Sequence, residues 1–156
     1  MTDPSRFGRA GQRPSPPSQA AEDSTADLVL VFDGGSKGNP GQGYGSFAYR
    51  GVARQWPPAR LEFPGLVTNN QAEYRSLIAG LQAAITALGG EAAACDHTLE
   101  VRSDSQLLVE QLHGRWKVRN ADLRPLHAEA LQLMKAFRSW NMLWHPRTES
   151  VRILCH

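Results

Sequence analysis

The spacing of apolar and polar positions divides this chain into segments of different period. Residues 28–32, Leu-Val-Leu-Val-Phe, form an unbroken apolar run, the pattern of a strand buried on both faces. The Asp33-Gly34-Gly35-Ser36-Lys37-Gly38-Asn39-Pro40-Gly41 stretch behind it has the composition of a turn. Residues 43–50 alternate small and aromatic side chains (Tyr44, Phe47, Tyr49) and residues 60–67 supply a further strand, with Trp56-Pro57-Pro58 as the expected turn between them. From Asn69 the period becomes helical, with Tyr74, Leu77, Ile78, Leu81, Ala84, Ile85 and Leu88 on one stripe; Thr68 or Asn69 suits the cap, and Gly89-Gly90 the end.

The second half repeats this alternation of periods. Residues 98–102 predict a strand that runs into Ser103-Asp104-Ser105, where Asp or Ser caps a helix carrying Leu107, Leu108, Gln111 and Leu112. Arg115-Trp116-Lys117-Val118-Arg119 is a short basic linker with one aromatic, and Leu123, Leu126, Ala130, Met134 and Phe137 describe the next helix. Residues 140–144 resume as a strand that Pro146 stops, and a last helix begins near Thr148. The order β-β-β-α-β-α-α-β predicts an α/β fold: a five-stranded mixed sheet, the first three strands antiparallel, with helices packed on it.

Composition narrows the class. The 156 residues, 41% of them hydrophobic, are enough for one domain with a core, expected over residues 27–156. Residues 1–26 are rich in Pro, Ser, Ala and charge, with Phe7 the one large aromatic, and are expected to form a disordered tail. Arg6, Arg9 and Arg13 in that tail read more simply as solvated charge than as a nucleic-acid tether. The tail's charges cancel, so the net +2 belongs to the body; a mildly basic body with carboxylates gathered in one place weakly suggests a nuclease. No apolar run is long enough to span a membrane and no secretory pattern opens the chain, so a cytoplasmic monomer without membrane contact is expected. Cys95 and Cys155 lack metal-ligand spacing and read as free thiols.

Three carboxylates stand where elements end: Asp33 after the first strand, Glu73 in the first turn of the long helix, and Asp104 between a strand and a helix. Each alone is explicable as a turn former or cap. Together, oxygen donors from separate elements with no Cys or His among them suit a hard divalent cation such as Mg²⁺ or Mn²⁺. The glycine-rich stretch does not have the GxxxxGK[ST] spacing of a nucleotide-phosphate loop, and a strand rather than a helix follows it.

The flanks of these carboxylates carry a resemblance. Asp33 to Gly41, then Thr68-Asn69-Asn70-Gln71-Ala72-Glu73-Tyr74, then Ser103-Asp104-Ser105-Gln106-Leu107 resemble, in order and separation, the three leading motifs of type 1 ribonuclease H, in its compact branch without the extra basic helix. The resemblance implies a ribonuclease H-like fold and hydrolysis of the RNA strand of an RNA/DNA hybrid by two metal ions about 3.5–4 Å apart. It makes Asp33, Glu73 and Asp104 the catalytic and metal-binding residues, with Mg²⁺ as cofactor and Mn²⁺ as substitute. Asp33 would bridge both ions, and Glu73 would sense the RNA 2′-hydroxyl. It places Asn39, Asn69, Asn70 and Gln106 in the minor groove, where 2′-hydroxyls distinguish RNA from DNA. Thr68 would hold a DNA-strand phosphate, Gly34 would let backbone approach the hybrid, and Arg115, Trp116 and Lys117 would add salt-dependent contacts.

One departure stands out. The family's fourth carboxylate follows a Pro-Arg-x-x-Asn-x-x-Ala-Asp pattern, whereas here Pro146-Arg147-Thr148-Glu149-Ser150-Val151-Arg152-Ile153-Leu154 puts Leu154 at its position. Three explanations stay open: a shortened or frame-shifted terminus, a stand-in such as Glu149, His145 or the terminal carboxylate, or a module that binds hybrids without cutting them efficiently. If the site is simply one carboxylate short, weak activity with Mg²⁺, partial rescue by Mn²⁺ and a gain from Leu154→Asp are expected; a stand-in would leave that substitution without effect. A related enzyme acting on plain DNA, such as a resolvase, is disfavoured by Asn69-Asn70 and Gln106.

Overall fold

The computed structural model describes residues 24–53 and 55–155; the expected tail falls almost wholly outside them. Five strands, β1 (Leu28–Gly38), β2 (Gly41–Gly51), β3 (Gln55–Val67), β4 (Thr98–Ser103) and β5 (Ser139–Trp144), form one mixed sheet in the order β3-β2-β1-β4-β5. β1, β2 and β3 pair antiparallel, while β4 joins β1 and β5 joins β4 in parallel. The helices among the described residues are α1 (Asn69–Leu88), α2 (Glu91–Ala94), α3 (Gln106–Leu112), α4 (Arg124–Met134) and α5 (Arg147–Leu154). The α/β mixed sheet expected from the sequence is therefore present.

Two expected turns are strand. β1 continues through the glycines and stays paired with β2 until Gly38 faces Gly41, so the hairpin turns at Asn39-Pro40. Trp56-Pro57-Pro58 lies inside β3, opposite Ala48 alone, where the register shifts between Phe47↔Ala59 and Tyr49↔Gln55. A second shift leaves Pro64-Gly65 unpaired in β3. Proline removes a ladder donor, which an edge strand at a bulge can absorb, and β3 is an edge strand.

Strand alternation sorts β1 between the two faces of the sheet. Leu28, Leu30 and Phe32 enter the larger core with Tyr74, Leu77 and Leu81 of α1, together with Leu108 and Leu112 of α3 and Met134 of α4. Val31 points the other way, into a small cluster with Ala48, Ile153 and Leu154 under α5. Helix α1 starts on a capping box: Thr68 Oγ1 accepts from the Gln71 N–H at 3.1 Å, and Gln71 Oε1 accepts from the Thr68 N–H at 2.8 Å. It ends at Gly89, whose φ of 111° only glycine takes without strain. Phe137, expected on the stripe of α4, lies just past its end but still packs in the core.

Candidate active site

β1 and β4 separate at the point where the site forms. Their parallel pairing runs from Leu28↔Leu99 to Val31↔Arg102 and then stops, while β1 continues against β2. Asp33 is thus two residues beyond the last β4 partner and beside the gap that opens as the chain leaves β4 through Asp104 toward α3. A crevice beyond the carboxyl ends of adjacent parallel strands is the usual ligand position in sheets of this kind. Asp33 is therefore not where its strand ends, as the sequence suggests, but where a neighbouring strand does.

Glu73 reaches the same spot from the first turns of α1. That helix lies close because Gly34 has no side chain: a Cβ there would meet the Ala72 carbonyl oxygen at 2.4 Å and the Glu73 nitrogen at 2.8 Å. The Gly34 N–H donates to Glu73 Oε1 at 2.6 Å. Asp33 and Glu73 are 1% and 7% exposed. One ligand oxygen each from Asp33, Glu73 and Asp104 lies within 4.8 Å of the others, and neither Glu149 nor His145 joins this group.

Three acidic groups so close cannot all be ionised without a counter-charge. Burial, then the neighbouring Asp33 and Asp104, push the Glu73 carboxyl well above its usual range, against the opposing Gly34 hydrogen bond. The Oδ2 of Asp104 is buried and has no hydrogen-bond partner among the described residues. A buried all-oxygen donor set, with one oxygen lacking a hydrogen bond and one carboxyl pushed upward by burial and its acidic neighbours, fits a hard divalent cation.

The sequence reading missed Arg147. At the start of α5, its Nη1 lies 3.4 Å from Asp33 Oδ2 and 3.6 Å from Asp104 Oδ2. Pro146-Arg147 is the part of the family's fourth motif that this chain keeps, which marks the position but not the contact; the placement of α5 beneath β1 makes the contact. His145, weighed as a stand-in ligand, instead bonds through Nε2 with Ser150 Oγ at 2.8 Å. Leu154 is fully buried against Val31, Ala48 and Ile153, away from solvent. The carboxyl-terminal carboxylate is outside the described residues.

The remaining expected binding residues fall into two groups and one isolated position. Asn39, Thr68 and Asn69 gather where the β1–β2 turn meets α1: Asn39 Oδ1 accepts from the Asn69 N–H at 3.0 Å, and Asn69 Oδ1 accepts from the Ser36 N–H at 2.9 Å. Both amide oxygens are thus engaged, leaving the two NH₂ groups to donate. Asn70 instead faces a cleft of about 620 Å³ that Arg115, Trp116 and Lys117 also line, with Arg119 and Asn120 beside them. Trp116 is 46% exposed in that cleft. Arg115 is paired with Glu110. Gln106 is exposed at the first position of α3, after the Ser105 cap.

Comparison with known proteins places this geometry. Residues 59–152 match the family described as "Reverse transcriptase-like". The chain is 42% identical over 124 residues to the bifunctional protein Rv2228c of Mycobacterium tuberculosis, covering 79% of this chain and 32% of that one. The structure of that protein's N-terminal RNase H domain, solved as a maltose-binding-protein fusion, is 38% identical and superposes with a TM-score of 0.69 over 83% of this chain and 91% of that chain. RNase H1 from Halobacterium salinarum is 34% identical with a TM-score of 0.69, covering 81% and 90%. LC11-RNase H1 in complex with RNA/DNA hybrid is 27% identical with a TM-score of 0.71, covering 81% and 90%. The chain therefore spans about a third of the length of the curated mycobacterial relatives.

Proposed function

The chain belongs to the ribonuclease H family, and on that footing we propose that it is a divalent-metal-dependent endonuclease hydrolysing the RNA strand of RNA/DNA hybrids. One observation carries the reading: Asp33, Glu73 and Asp104 converge within 4.8 Å beside the gap between β1 and β4.

Asp33, Glu73 and Asp104 would hold Mg²⁺, with Mn²⁺ as substitute. When bound, such ions supply Lewis-acid stabilisation of the phosphoryl oxygens and of the attacking water. Gly34 fixes the Glu73 carboxyl by its N–H and lets α1 approach β1. Asn39 and Asn69 offer NH₂ donors toward the minor groove, where acceptors include the 2′-hydroxyl oxygens. Asn70 and Gln106 are exposed and free to reach the same groove. Thr68 spends its hydroxyl oxygen on the α1 cap, so it would bind a phosphate through its hydroxyl hydrogen. Arg115, Trp116 and Lys117 in the cleft supply positive charge and an aromatic face for the hybrid's other strand. The free, exposed Cys95 and Cys155 fit a reducing, cytoplasmic setting, and no described helix is long and apolar enough to cross a membrane. We take the working unit to be a monomer whose domain covers residues 27–156; the end of the expected tail is held to β4, because Ser24 Oγ donates to Glu100 Oε1 at 2.9 Å.

A second reading is favoured by one specific observation. The metal group holds three carboxylates, and Leu154 is buried in an apolar cluster instead of supplying a fourth. The protein then binds hybrids and cuts them weakly. A labelled hybrid assayed in parallel for binding and for cleavage, with Mg²⁺ and with Mn²⁺, separates the two. Cleavage in Mg²⁺ that Asp33→Asn removes supports the enzyme; tight binding without cleavage in either metal supports the module. Cutting of plain DNA duplex at a comparable rate would reject both.

A further inference from the structure

Arg147 lies on two of the three carboxylates of the site. Its Nη1 is 3.4 Å from Asp33 Oδ2, 3.5 Å from Asp33 Oδ1 and 3.6 Å from Asp104 Oδ2. Those carboxylates are nearly inaccessible, with side-chain exposures of 2% and 9%, while the arginine side chain is 62% exposed. The guanidinium therefore arrives from solvent and lies across two acids that are not themselves in solvent. The distances are those of an ion pair rather than short hydrogen bonds, so the contact is chiefly charge against charge.

The anchoring is local. Arg147 is the first residue of α5, directly after the Pro146 cap, and α5 is held beneath β1 by Ile153 and Leu154 packing on Val31 and Ala48. The backbone position of Arg147 is thus fixed by the core, while its long side chain is free to rotate away. A flexible cation on a fixed base, touching the oxygens that a divalent ion would take, competes with that ion.

We propose that Arg147 is a tethered counter-cation that shares Asp33 and Asp104 with the incoming divalent ion and so sets the affinity of the site. The inference rests on the metal reading of Asp33, Glu73 and Asp104. It assigns Arg147 a positioning role: in its inward rotamer it offsets the repulsion between the two acids, and it must rotate outward before their oxygens accept the ion. The measured affinity is then lower than the intrinsic one by the fraction of molecules in which Arg147 points away.

The test is calorimetric titration of Mn²⁺ alone into the full chain, without nucleic acid, for the native protein, Arg147→Ala, Arg147→Lys and Asp33→Asn. Arg147→Ala is expected to bind Mn²⁺ about tenfold more tightly than the native chain, with Arg147→Lys between them. Thermal unfolding gives a second readout. In chelator, Arg147→Ala should melt below the native chain, and saturating Mn²⁺ should close that gap, because the ion replaces the charge that was lost. Native or weaker Mn²⁺ affinity in Arg147→Ala would overturn the proposal, as would a melting difference that Mn²⁺ leaves unchanged. Absence of Mn²⁺ binding in native chain and Arg147→Ala alike, or equal binding by native chain and Asp33→Asn, would remove the metal reading itself.

Discussion

The backbone N–H of Gly34 donates to Glu73 Oε1 at 2.6 Å, so the strand bearing Asp33 and the helix bearing Glu73 are joined by a hydrogen bond inside the site. The contact needs glycine, because a Cβ at residue 34 would lie 2.4 Å from the Ala72 carbonyl oxygen, which is backbone and cannot turn aside. Gly34→Ala is expected to push α1 from β1, lowering stability by about 1–3 kcal/mol, as overpacking does. Cleavage of the hybrid should fall by more than that stability loss explains. Urea denaturation and single-turnover cleavage on the same preparation check both.

Asp33→Asn removes a charge from a cluster whose members repel one another. Hybrid cleavage should drop by roughly a thousandfold or more, about 4 kcal/mol of barrier. Stability in chelator should hardly change, since one source of like-charge repulsion goes together with the Arg147 pair. A variant that unfolds rather than simply losing activity would show that Asp33 holds the fold together.

His145 gives a pH dependence of definite sign. Burial pushes its pKa down to about 4, with Asp104 opposing the shift and Arg102 adding to it. The unfolded chain takes up a proton near pH 6.5 and the folded chain does so only near pH 4. This group's contribution is therefore complete above pH 6.5 and is lost progressively as pH falls toward 4. His145→Gln should flatten that slope, seen as a smaller difference between denaturation midpoints at pH 7 and pH 4.5. An unchanged difference would mean that His145 stays neutral in neither state or both.

Leu154→Asp is expected to reverse what the sequence alone suggests. The aligned position invites a fourth carboxylate and a gain of activity, but Leu154 is fully buried beside Val31, Ala48 and Ile153. The substitution removes an apolar side chain and leaves an acid without a polar partner, a loss of roughly 4 kcal/mol. A lower melting temperature with no rise in Mg²⁺-dependent cleavage is the expected result. A stable variant that cuts faster would place residue 154 within reach of the ions.

In the cleft, Lys117 and Arg115 should behave differently although they are near neighbours in sequence. Arg115 is paired with Glu110, whereas no described ion pair engages Lys117. Lys117→Ala should lower the log–log salt slope of hybrid binding by about 1, and Arg115→Ala by less. Equal slopes across native chain and both variants would return the segment to a solvated linker.

What the sequence made legible, and what it did not, has a physical basis. Alternation and helical period located every long element because burial of one face imposes them, and the three carboxylates were found because their flanking residues are distinctive. Gly34 to Gly38 was misread as turn because glycines have no side chains to alternate. The Pro57-Pro58 stretch was misread because nothing local reveals that β3 is an edge strand, where a bulge with prolines costs little. The four-residue α2 is too short to show a period. Arg147 and the burial of Leu154 depend on where α5 docks, a contact between residues more than a hundred positions apart.

The bonds from Asn39 to Asn69 and from Asn69 to Ser36 clamp the hairpin tip to the start of α1. Glu73 is only four positions beyond Asn69 along α1, and Ser36 three beyond Asp33 along β1. The groups that would read a sugar and the groups that would act on the backbone thus sit on one rigid frame. On the proposed function such a frame would work as a ruler: the offset between the ribose read and the bond cut would belong to the protein, and would stay constant whatever sequence the hybrid carries.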